Sequence, residues 1–104
     1  MGMAMQSLPL QVLVEGSVVK LIGKVTVHNA SVLERELSSF VEQIQVIDCQ
    51  QLQTADSSFL AFLLWLQAKK QQLGGGSLVV RHTSNALKTL CQLYDLEEVF
   101  VFES

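Results

Sequence analysis

Asp56, Ser57 and Ser58 set one carboxyl and two hydroxyls directly ahead of an unbroken apolar run, Phe59 to Leu66. Three chemistries are open to such a cluster: nucleophilic attack by a serine, coordination of a metal, or recognition of a hydroxyl at a helix start. Nucleophilic catalysis needs a base within reach and usually a sharp Gly-x-Ser-x-Gly elbow. No glycine flanks Ser57 or Ser58, and the two histidines, His28 and His82, are isolated along the chain. No His, Cys or carboxylate pair repeats with ligand spacing either. We therefore expect no catalytic residue, no metal and no cofactor, and a protein that is not an enzyme.

Recognition remains. Asp and Ser are favoured helix N-caps, each worth about 0.5–2 kcal/mol, and a helix starting near Ser57 needs one. The same position faces free backbone N–H groups and the positive end of the helix dipole, so a phosphate added to Ser57 is well tolerated. Asp56 repels that phosphate unless it is occupied in capping or holding a cation. Thr54, Asp56, Ser57 and Ser58 together form the candidate partner-binding or phosphorylatable switch.

The apolar run supplies a second surface. At about 100° per residue, Leu60, Leu63, Leu64 and Ala68 fall on one side of a helix, with Phe59, Phe62 and Leu66 on another and Trp65 beyond Phe62. One side fills a core under a sheet; the other needs a neighbouring helix or a partner to cover it. Phe59, Phe62 and Trp65 are the candidate apolar contact residues.

The elements that position this helix can be read in order. Leu10 to Val14 and Ser17 to Gly23 are strand-like, and Glu15-Gly16 between them signals a hairpin turn. Ser31 and Glu34 have capping-box spacing ahead of a helix marked by Leu33, Leu37, Phe40 and Val41. Ile44 to Asp48 reads as a strand covered on both faces, followed by the apolar helix over Ser57 to Gln72. Gly74-Gly75-Gly76 closes that helix and is no phosphate loop, since it joins a helix to a strand rather than a strand to a helix. Leu78 to Val80 is the next strand, Ser84 caps a third helix through Leu87, Leu90 and Cys91, and Val99 to Phe102 is extended. The order β-β-α-β-α-β-α-β predicts an α/β fold: a mixed, mainly parallel sheet of four to five strands with three helices.

A chain of 104 residues suits one domain, with residues 1–8 expected as a flexible extension. A hydrophobic fraction of 49% and a mean hydropathy of +0.34 are high for its size and imply apolar surface turned toward another protein. The net charge of −3 works against nucleic-acid binding, which needs clustered Lys and Arg. The run to Leu66 is far short of the ~20 residues that span a bilayer, so no direct membrane insertion is expected. The start, MGMAMQSLPL, lacks a basic secretory region, and Gln6 replaces the Ser or Thr that myristoylation prefers. These features predict a cytoplasmic location, with Cys49 and Cys91 as buried, reduced thiols.

Val46-Ile47-Asp48, then Leu52, then Asp56-Ser57-Ser58 and an apolar helix resemble the signature of STAS domains, a family that includes the bacterial anti-sigma factor antagonists. Within it, "LAFLLWLQAKKQQLGG", "LVV" and "LKTLCQLYDL" are most similar to the small cytoplasmic STAS subunits of Mla-type phospholipid-transport ABC complexes. The resemblance covers nearly the whole chain and is firmest from Asp48 to Leu96. It implies a non-enzymatic subunit that binds the ABC transporter ATPase subunit and, through it, the membrane permease. A Thr or Ser at the position of Ser57 then lies in the ATPase contact. In the antagonists the matching Ser is instead phosphorylated by a kinase-type anti-sigma factor. Phe59 departs from the family, where Gly or another small residue is common. A third reading, a nucleotide or small-molecule site, has no Gly-rich loop or basic cluster to support it.

Overall fold

Gly16 turns the chain with φ +61, a left-handed conformation that costs glycine nothing because it has no Cβ. The flanking segments, Leu10–Glu15 (β2) and Val18–Lys24 (β3), pair antiparallel across it as the expected hairpin. The computed structural model describes residues 3–7, 10–54 and 57–103, with side chains over 10–53 and 57–103.

Met3–Ser7 (β1), within the stretch expected as a flexible extension, pairs antiparallel with β2. The backbone N–H and C=O groups along the outer side of β2 need partners, and an added strand supplies them. Three further strands, Val46–Thr54 (β4), Val79–Arg81 (β5) and Val101–Glu103 (β6), continue the sheet on the other side of β3. Their pairings β3–β4, β4–β5 and β5–β6 are all parallel. Among the described residues the sheet has six strands in the order β1-β2-β3-β4-β5-β6; β1 is the one added to those read from sequence.

Three helices, Ala30–Leu37 (α1), Ser57–Gln72 (α2) and Asn85–Leu93 (α3), make the crossovers between the parallel strands. Each crossover steps one strand in the same direction, so right-handed connections place all three helices on one face of the sheet. Between that face and the helices lies the core: Val19, Leu21, Ile47 and Val80 from the strands meet Leu33, Leu37, Leu63, Leu66, Leu87 and Cys91 from the helices.

α1 does not use the expected Ser31–Glu34 capping box. The helix starts earlier, with Asn29 at its N-cap position, and Ser31 sits exposed within the first turn. Buried Asn29 ties down the preceding loop instead: its Oδ1 accepts from the Thr26 N–H at 2.8 Å and its Nδ2 donates to the Lys24 carbonyl at 3.0 Å. With the helix already begun at Ala30, the Leu33 N–H that a cap at Ser31 would have served donates to the Asn29 carbonyl at 3.0 Å instead. A 3₁₀ segment, Ser38–Gln43, follows α1 and is broken at Phe40, whose φ is −131.

α2 ends where the glycines predict, with Gly74 at φ +80. The Gly75 N–H donates to the Lys70 carbonyl at 2.7 Å, so close that a Cβ on Gly75 would lie 3.1 Å from that oxygen. Ser84 caps α3 as expected, its Oγ accepting from the Leu87 N–H at 3.2 Å.

Candidate partner-binding site at the start of the second helix

The parallel strands all run their carboxyl ends to one end of the sheet, where the turns into α1, α2 and α3 collect. Ligands and partners of open α/β sheets meet the chain at this end. Ser57 opens α2 there, exposed to solvent in the first turn, and Ser58 beside it is half-buried. Asp56 and the side chain of Thr54 lie outside the described residues.

Phe59 and Phe62 are not on a surface. Both are fully buried, which corrects their assignment as exposed contact residues. The reason is the place of α2 in the fold: it is the middle helix, packed against α1 and the 3₁₀ segment on one flank and α3 on the other. Its second apolar side is therefore covered within the chain. Phe59 stacks on Phe62 with ring centroids 6.2 Å apart, and Phe62 on Trp65 at 6.1 Å. Trp65 is half-buried, so its outer part alone of the three rings reaches solvent.

The outward stripe of α2 is made of other residues. Ser57, Ala61 and Ala68 are exposed, and Leu64 and Trp65 lie half-buried between them. Helical spacing aligns these residues along one side. Short side chains on such a stripe let another protein approach the helix closely, and Trp65 offers an aromatic edge within it. Ala68 shares the side of Leu60 and Leu63 by periodicity, yet it is exposed where they are buried.

The start of α2 also touches the start of α3. A cavity of about 10 Å³ is lined by Cys49, Leu52, Phe59, Ser84 and Leu87, which holds at most about one water. Burial, and secondarily the charge of Asp48, pushes the Cys49 thiol up to about 12. Cys91 is raised as well, by burial and then by Glu97. Both thiols are thus held protonated, not as reactive thiolates.

Topology brings both histidines to the end of the sheet that carries Ser57. His28 lies on the loop between β3 and α1, and His82, at φ +58, follows β5. Both are exposed, and neither imidazole is hydrogen-bonded to Ser57 in the described structure. No sequence motif joins them; only the strand order does. Among the described residues, no group of three or more His, Cys, Asp or Glu could hold a metal ion.

A sequence model of the family described as "Mlab, STAS domain" matches residues 10–102. The chain is a STAS domain. Solved structures agree on the fold. A putative anti-sigma factor antagonist from Thermotoga maritima superposes on this STAS domain with a TM-score of 0.71 at 15% identity, covering 89% of this chain and 84% of that one. The Bacillus cell fate determinant SpoIIAA in its phosphorylated form gives a TM-score of 0.64 at 16% identity, covering 91% of each chain. The anti-sigma factor antagonist SpoIIAA in its unphosphorylated form gives 0.65 at 16% identity, covering 91% of this STAS domain and 86% of the other chain. No curated protein sequence matches the domain.

Proposed function

We propose that this STAS domain is a non-enzymatic, MlaB-like subunit that binds and supports the cytoplasmic ATPase of a Mla-type phospholipid ABC transporter, the system that maintains outer-membrane lipid asymmetry. The observation that carries this reading is the match to the Mlab STAS family over residues 10–102. The exposed stripe of α2, beginning at Ser57 and running through Ala61 to Ala68, supplies a surface of suitable shape. Association with the permease and the inner membrane then runs through the ATPase. Among the described residues no helix is long and apolar enough to cross a membrane. The test is co-purification with the tagged ATPase. Ser57→Arg and Ala61→Arg each add a long cation to the stripe without touching the core, and either is expected to reduce recovery of the complex. Undiminished recovery with both folded variants overturns the surface.

A second reading is an anti-sigma factor antagonist switched by phosphorylation of Ser57. Two observations favour it: the fold likeness to SpoIIAA, one structure of which is the phosphorylated form, and the exposed hydroxyl of Ser57 in the first turn of α2. A phosphate there faces free N–H groups and the helix dipole. Intact mass of the protein from its native cells separates the two readings. A phosphate mapped to Ser57 supports the switch; an unmodified chain, with Ser57→Ala fully active, rejects it.

A further inference from the structure

With all three helices on one face, the other face of the sheet carries no helix among the described residues. Residues on it are fixed by the strand register. Val18, Val46, Val79 and Val101 are successive register partners and form one apolar row across β3 to β6. The first three are only half-buried, and Val101 is 47% exposed. Two residues further along the strands, and so on the same face, Lys20, Asp48, Arg81 and Glu103 are again successive partners. Their charges alternate strictly: cation, anion, cation, anion.

We propose that this face binds a second copy of the same chain, sheet against sheet, about a twofold axis that runs along the strands between β4 and β5. Such an axis reverses the order of strands and preserves position along them, so β3 lies over β6 of the second copy and β4 over β5. The valine row then meets a valine row. The charged row reads in the opposite sense, so Lys20 faces Glu103 of the second copy and Asp48 faces its Arg81. An alternating ladder of four charges is complementary to its own reverse, which is the condition an isologous interface has to meet. A uniformly charged row would repel its copy instead.

The existing contacts are compatible with this arrangement. Lys20 Nζ lies 3.3 Å from Glu15, and Arg81 Nε lies 3.3 Å from Glu103 Oε1. Each cation keeps further N–H donors for an opposing carboxylate. Asp48 is only 8% exposed, and its Oδ1 accepts from the Gln50 N–H at 3.0 Å. It contributes by its field more than by contact, which leaves the exposed Lys20 and Glu103 as the pair to test. Stacked sheets pack about 10 Å apart with strands rotated by about 30°, a separation that valine side chains can bridge.

Sedimentation velocity over a concentration series tests the proposal. The unaltered chain is expected to shift from monomer to dimer as concentration rises. Lys20→Glu and Glu103→Lys each set like charges against each other twice in the symmetric dimer, and each should weaken dimerisation about tenfold. Both positions are exposed, and circular dichroism and thermal melting confirm that the variants fold. An equimolar mixture of the two variants restores opposite charges at both contacts and should recover the dimer as a heterodimer. A chain that stays monomeric to its solubility limit overturns the proposal, including the case where the face binds a different protein. So does a mixture no tighter than either variant alone.

Discussion

Cys49 lies on the helix-covered face of β4, and its thiol is held at about 12 against an ordinary 9.0, chiefly by burial and then by Asp48. Between those two values the folded chain retains a proton that the unfolded chain has released. The stability associated with Cys49 is therefore intact below pH 9 and is lost as pH rises toward 12. Urea midpoints should fall more steeply above pH 9 in the unaltered protein than in Cys49→Ala, and a thiol reagent should label Cys49 at pH 8 only after unfolding. Ser57 and Phe62 separate surface from core in a second experiment. Ser57→Arg, at an exposed position but at the positive end of the helix dipole, should lower unfolding free energy by no more than about 1 kcal/mol. Phe62→Ala should cost about 3–5 kcal/mol by emptying a fully enclosed site. Ser84 and Gly74 were readable because a cap and a left-handed turn are satisfied within a few residues. Ser31 failed the same reading because the loop held by Asn29, not Ser31's own neighbours, decides where α1 begins.

At the scale of elements, two polar side chains in the core fasten α2 to its neighbours, Gln67 to the segment that leads into β5 and Lys70 to the segment ahead of β4. Gln67 Nε2 donates to the Gly76 carbonyl at 3.1 Å, and its Oε1 accepts from the Leu78 N–H at 2.6 Å. Lys70 Nζ donates to the Ile44 carbonyl at 2.6 Å, and burial holds its ammonium below the usual lysine range. Gln67→Leu leaves the Leu78 N–H without its partner and should cost about 1–3 kcal/mol in urea denaturation. Neither residue was legible as core. Following Phe59 to Leu66, both look like the polar close of an apolar run, and their partners belong to other segments of the chain. The same limit applied to the two apolar sides of α2. Periodicity shows that a second side must be covered, but not whether α1 and α3 or another protein covers it. From β2 onward the succession of strands and helices along the chain, and the position of Ser57 at a helix start, were legible, because each rests on local pattern and turn residues.

Across the whole molecule, β3 and β4 form the centre of the sheet, while β1 and β6 are its edges. Amide hydrogen exchange should be slowest in β3 and β4 and fastest in β1 and β6, since edge strands lack ladder bonds on one side. Protection equal at centre and edge would contradict this. The order of the strands in space is also their order in the chain. No strand has to be inserted between two that have already paired. As the polypeptide leaves the ribosome, the hairpin of β2 and β3 can form first, and each new helix and strand can then dock on the edge left open by the one before it. The surface that begins at Ser57 is thus enclosed stepwise: β4 sets its base, α2 lays it down, and the later arrival of α3 covers the flank of Phe59 without disturbing what is already built.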